Sequence, residues 1–284
     1  PNGSFKIKDS STDYFILNQE NGSISLVSPL GGNIRGSIFK GGSRFLHTYH
    51  GSGTDGFNTF LGINAGSFTI SGSDRTGSYN TGVGNQSLSS LTTGYDNSAF
   101  GQNSLYNNTT GYNNSAFGTY SLYSNTTGNS NSAFGSSSLA FNTTGYENSA
   151  FGIGSLYSNT AGNFNSAFGR NSLFSNTTGI NNSSFGTQSL LFNTTGSSNS
   201  AFGRSSLYYN TTGEANSAFG TQSLFNNTTG NFNSAFGSSS LFYNTTGYSN
   251  SAFGYYSLNR NTTGYENSAV GLSSLESNTS GYQN

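Results

Sequence analysis

The residue most often placed where it could carry chemistry is asparagine. Asn-x-Ser/Thr, the acceptor pattern for N-linked sugar, recurs at Asn108, Asn125, Asn142, Asn176, Asn193, Asn210, Asn227, Asn244, Asn261 and Asn278. The series is broken once, where Ala161 spoils the copy at Asn159. The same four letters, Asn-Thr-Thr-Gly, are also good turn chemistry, because Asn and Gly tolerate left-handed backbone. Two readings therefore stand together: a ladder of glycosylated corners, or a ladder of plain corners. The paired threonines add a third, a regular Thr surface of the kind that binds ice. Against it, the pair sits beside Gly at a corner rather than along a strand.

Catalytic grammar is missing. His47 and His50 are the only histidines and Asp55 is the nearest acid; the group reads as an ordinary strand end. The acids Asp96, Glu147, Glu214 and Glu266 fall in variable positions and build no paired site. Calcium-binding β-rolls need regular Asp, which is missing, and the glycines form no phosphate loop between a strand and a helix. There is no Cys, hence neither a disulfide framework nor a thiolate metal site. No enzyme, cofactor or metal is expected. A net charge of -1 gives no electrostatic reason for a nucleic acid or an anionic membrane as partner. No apolar run approaches the ~20 residues of a membrane span, so no membrane insertion is expected. Tyr95, Tyr112, Tyr146, Tyr248, Tyr265 and Tyr282 share one variable column, fit to stack on sugar or to pack against a neighbour.

What positions these residues is a repeat. A clean copy, N-S-A-F-G-T-Q-S-L-F-N-N-T-T-G, runs from Asn216 to Gly230, two variable residues follow, and the next copy starts at Asn233. One column holds Phe100, Phe117, Phe134, Phe151, Phe168, Phe185, Phe202, Phe219, Phe236 and Phe253. Another holds Leu105, Leu122, Leu139, Leu156, Leu173, Leu190, Leu207, Leu224, Leu241 and Leu258. A strict short period without helix signals predicts an all-β chain, a parallel β-solenoid or β-roll with one seventeen-residue repeat per rung. About twelve rungs, ~4.8 Å apart, would make a rod about 55–60 Å long. Two short strands per rung are expected, around Ser98 to Gly101 and around Ser104 to Tyr106. Phe and Leu should form the inner apolar ladder. Asn97, Asn114 and Asn131 should form an amide ladder along the axis. Ala99 and Gly101 should face the other way, where small side chains let another backbone approach. The spacing of 22 from Leu61 to Val83 marks one turn with an insertion.

Residues 1–57 differ, and the expected division is a small β module or assembly arm over 1–57 and the solenoid over 58–284. All three lysines and both histidines lie in the first part. Ser4 to Lys8, Tyr14 to Leu17 and Ser23 to Val27 read as strands, with Asn21-Gly22 as a hairpin turn between the last two. Asn33 to Lys40 and Arg44 to Tyr49 read as a pair around Gly41-Gly42.

The core N-S-A-F-G-x-x-S resembles the head repeat of trimeric autotransporter adhesins, S-x-A-x-G-x-x-S, matched in one copy by Ala201, Gly203 and Ser206. That resemblance implies a left-handed parallel β-roll that associates as a trimer; the added Leu-x-x-Asn-Thr-Thr-Gly arm makes the rung here longer. The full unit over 58–284 is similar to repeats in large surface and tail-fibre-like bacterial proteins of the Bacteroidota type. Phe5 to Asp9 also looks like the segments that precede such repeats.

The leading expectation is a structural subunit of an extracellular or cell-surface fibre, or of a virion fibre, with copies of itself as partners. Head-to-tail assembly would use the N-terminal arm (Phe5, Ile7) and an open last rung at Tyr282. The alternative is a trimeric adhesin or phage-type shaft that binds surface carbohydrate, and ice binding is the third reading.

Overall fold

The computed structural model describes residues 5–8, 13–17, 24–26, 38–40 and 43–284. These are all-β, with no helix among the described residues. The first strands, β1 (Phe5–Lys8), β2 (Asp13–Leu17) and β3 (Ile24–Leu26), form an antiparallel sheet in that order. They fall where alternation predicts strands; the Asn21-Gly22 turn lies outside the described residues. The next pair, β4 (Ile38–Lys40) and β5 (Ser43–His47), is antiparallel as expected.

The solenoid sheet extends across residue 57. Strand β5 pairs antiparallel with β6 (Thr59–Leu61), placing Leu46 opposite Leu61 and His47 opposite Phe60. The second pair therefore continues the solenoid sheet, which counts 15 strands from β4 to the last, β18 (Ser268–Val270). A pair with so little apolar surface is stabilised by sharing an edge with the first rung.

From β6 onward every rung contributes one three-residue strand: β7 (Thr81–Val83), β8 (Ser98–Phe100), and so on to β18 (Ser268–Val270). All pair in parallel and in register, and in the regular rungs this sets Ser on Ser, Ala on Ala and Phe on Phe. The insertion is confirmed: Thr59 pairs with Thr81, whereas later partners are seventeen apart. This is a parallel β-solenoid, and its period is the one written in the sequence.

Two expectations about the rung are overturned. The stretch Ser104 to Tyr106 is a turn, not a second strand. Leu105 has φ of 50°, and the other leucines of its column are also left-handed, near 50°. Left-handed backbone costs a non-Gly residue about 1–2 kcal/mol. Burying a Leu completely returns about 2–3 kcal/mol, and each Leu of this column from Leu105 to Leu258 is 0% exposed. The bend thus points Leu at the axis within a rung too short to hold a second strand.

The second correction concerns the Phe column, which lies outside. Alternation along the strand turns one of each neighbouring pair inward, and the inward residue is alanine. Ala99 and its equivalents are buried, while the phenylalanines from Phe117 to Phe236 are half-exposed and Phe100 and Phe253 more so. The interior is already filled by Leu, Ser and two asparagines per rung, leaving room for a methyl group and not for a ring. The backbone that closely approaches the small column belongs to the same chain. Phe60 shows the rule by its exception. It turns inward in the first rung, where the position above it is Gly82, with no side chain.

Glycine is obligatory at two places per rung. At Gly203, φ is 135° and an added Cβ would lie 2.6 Å from the Gly220 carbonyl oxygen. At Gly213 the backbone is ordinary, but a Cβ would meet Asn210 Oδ1 at 2.4 Å.

Candidate functional site

The interior carries two amide ladders. Asn97, Asn114 and Asn131 stack as the repeat predicts: Asn114 Nδ2 donates to Asn97 Oδ1 at 3.1 Å and to the Gly128 carbonyl at 2.8 Å. The Asn114 backbone N–H also donates to Asn97 Oδ1. Both donors and both acceptor sites of each amide are thereby used.

The second ladder is the sequon column, and here the glycosylation reading is corrected. Asn108, Asn125, Asn142, Asn176, Asn193, Asn210, Asn227, Asn244 and Asn261 are all 0% exposed. Asn125 Nδ2 donates to Asn108 Oδ1 at 2.7 Å and to Gly128 O at 3.0 Å. Asn278, half-buried, donates to Asn261 Oδ1 in the same way. The nitrogen that would carry sugar points into the coil and is spent on its neighbours. Asn159 occupies the same ladder although Ala161 breaks its sequon, so the column is built for stacking. The signal was available: the Asn persists where the acceptor pattern fails.

The corner is closed by convergence. The N–H groups of Thr109, Thr110 and Gly111 and the Thr109 hydroxyl all donate to the Thr126 carbonyl, at 3.0–3.3 Å. The first Thr of each pair therefore spends its hydroxyl on the next rung; the second, as at Thr110, is exposed at a bend.

Among the described residues the histidines and acids singled out in the sequence lie as follows. His47 is buried, with Nε2 2.7 Å from Ala65 O and Nδ1 accepting from the Tyr49 N–H, as a strand-end residue would be. His50 lies on the surface. Asp55 accepts from the Tyr79 hydroxyl at 3.2 Å, and Arg75 pairs with Asp96 beside it. Burial, then the Asp55 carboxylate, raises the Tyr79 phenol above its ordinary pKa. Glu147, Glu214 and Glu266 stand exposed and apart along the rod. Among the described residues no cluster could hold a metal ion, and no helix is long and apolar enough to cross a membrane.

Chemistry is left to the outer surface, where aromatic columns run along the axis. The Phe column stacks with ring centroids 4.7 Å apart and planes within 7° from Phe100 to Phe236, and Phe253 continues it at 4.9 Å. In the tyrosine column, Tyr95 stacks on Tyr112, and Tyr248, Tyr265 and Tyr282 form a second run. Burial, followed by its two tyrosine neighbours, raises the Tyr265 pKa. Tyr282 is thus an exposed member of a column. Phe5 and Ile7 stand on β1, paired with Leu17 and Phe15 of their own sheet.

A third feature was not read from the sequence. Phe192, Tyr209 and Tyr243 share one variable column and form a wall of a groove of about 790 Å³; the other wall is the Thr column from Thr194 to Thr262. Their signal was an aromatic at a position where most other rungs carry Ser or Asn, Phe141 and Arg260 being the exceptions. Comparison with protein-family models, with curated proteins and with solved structures finds no match to this chain.

Proposed function

We propose that the chain is a structural rod, a subunit of an extracellular fibre or filament, and that it associates side by side with copies of itself through the phenylalanine stripe. The observation that supports this is the stripe itself: an unbroken, half-exposed Phe ladder on the strand face. A continuous apolar surface of this length marks an interaction site on a soluble protein. A partner that covers it along its whole length must repeat with the same pitch, which another copy of this rod does. A net charge of -1 leaves little repulsion between copies.

The test is the oligomeric state. The full chain should sediment as an oligomer or filament, and the triple variant F151S/F185S/F219S should sediment as a folded monomer with unchanged circular dichroism. A monomeric parent chain, or an oligomer indifferent to the three substitutions, overturns the proposal. Removing residues 1–57 tests end-on growth separately, since shortened filaments with intact lateral contacts would assign that role to the N-terminal segment.

A further inference from the structure

We infer that the groove beside Phe192, Tyr209 and Tyr243 is a binding site for a neutral, linear carbohydrate chain lying parallel to the solenoid axis. The lining runs from Ser175 to Thr262, six rungs or about 24 Å at the rung spacing of a β-sheet, so the site suits an oligosaccharide rather than a single sugar. Its volume lies in the range of small-molecule sites.

The aromatic wall is built, not incidental. Phe192 and Tyr209 lie parallel, with centroids 5.4 Å apart. A second aromatic column holds them edge-on from behind: Tyr208 meets Tyr209 at 4.7 Å and 79°, Phe225 meets Tyr209 at 5.2 Å and 90°, and Phe242 meets Tyr243 at 4.8 Å and 73°. Edge-to-face contacts fix ring orientation. The rings are thus pre-set while Phe192, Tyr209 and Tyr243 remain 40%, 42% and 50% exposed.

The opposite wall is apolar for a reason already given. The hydroxyls of Thr194, Thr211, Thr228 and Thr245 each donate to the next rung's carbonyl, at 2.9–3.0 Å. Their methyl groups are left for a ligand. Polar groups at the Tyr209 and Tyr243 hydroxyls, Ser175 and Asn226 accompany this carbon surface. Aromatic faces with a few hydroxyl and amide groups match the C–H face and the equatorial hydroxyls of a sugar ring.

Other occupants fit less well. No charged residue lines the groove, so nothing compensates a polyanion; at its end Arg260 and Glu276 stand together with opposite signs. An extended peptide gains affinity by pairing with a free sheet edge, but the Thr backbone N–H groups here already bond to the next rung. A second copy would need a wall that repeats along the rod. This wall does not: Ser158, Ser175 and Asn226 interrupt the column.

The experiment is calorimetric titration of the full chain with cellohexaose, laminarihexaose, mannohexaose and chitohexaose, with oligogalacturonate as the anionic comparison. At least one neutral hexasaccharide should bind saturably. Truncating an aromatic anchor should weaken binding about tenfold or more in Tyr209→Ala and in Tyr243→Ala. Tyr209→Phe should retain most of it, and Tyr112→Ala, on another face, should change nothing. Absence of saturable binding by all four, binding indifferent to both alanine variants, or equal binding of the anionic chain overturns the inference. Because the phenylalanine stripe lies on another column, F151S/F185S/F219S should bind sugar normally, so failure of one proposal leaves the other standing.

Discussion

At the scale of single residues, the rung is held by groups that ordinarily disfavour burial. Two amides per turn enter the core, and each is satisfied by its own turn and by the turns before and after. Removing one leaves its neighbours' polar groups buried and unpaired, the costly side of hydrogen-bond energetics. Asn193 is a case: its Oδ1 accepts from Asn210 Nδ2 at 2.7 Å, and its own Nδ2 donates to Asn176 Oδ1 and Gly196 O. Asn193→Ala should therefore cost about 2–4 kcal/mol in chemical denaturation, although it deletes what reads as a surface glycosylation site. A loss below about 0.5 kcal/mol would mean that the ladder contributes little. The Asn97 column was legible in the sequence because nothing else competed for its meaning. The Asn108 column was not, because Asn-x-Thr has both a chemical and a conformational reading and only burial separates them.

At the scale of the strand, one alternation decides which side chain is inside, and side-chain size misleads. A ring carries more apolar surface than a methyl group, so hydrophobicity alone assigns Phe to the core. Space within the coil overrides it. The small residue forms a column about as constant as the ring, with Ser184 the one other residue from Ala99 to Ala269, so only the space inside the coil separates the two. Even Ser184 must hydrogen-bond internally, to Ser172 and Ser189. The assignment makes an ordered prediction. Leu207→Ala opens a cavity and should cost about 3 kcal/mol. Phe202→Ala removes a half-exposed ring stacked at 4.7 Å on both neighbours and should cost about 1 kcal/mol in a monomeric background. Urea melts of the two variants would check this, and a larger loss for Phe202→Ala would return the Phe column to the core. The left-handed leucines were not legible, because no short-range rule places Leu at positive φ; closure of a seventeen-residue turn requires it.

At the scale of the whole molecule, the repeat makes stability one-dimensional. In the regular solenoid, hydrogen bonds run within a rung or to an adjoining one, as from Leu190 to Ser206 and from Gly203 to Phe185. Period and register were legible for this reason: each column answers only to its own copies, so a constraint repeats wherever the rung does. The same property governs how the rod fails. In such arrays stability is approximately a sum of rung and interface contributions, so a lesion should act where it is placed. Gly186→Val adds a side chain at φ of 145°, with its Cβ 2.5 Å from the Gly203 carbonyl oxygen, and breaks the stack mid-rod. Gly254→Val does the same near β18, against Gly271. Native-state hydrogen exchange should show the first variant losing protection around β13 (Ser183–Phe185) and β14 (Ser200–Phe202), with a biphasic urea transition as the two arms melt separately. The second should lose protection only beyond β16 (Ser234–Phe236) and keep a single main transition. Equal, uniform loss of protection in both would mean that the rod unfolds as one cooperative unit, with coupling that reaches well beyond adjoining rungs.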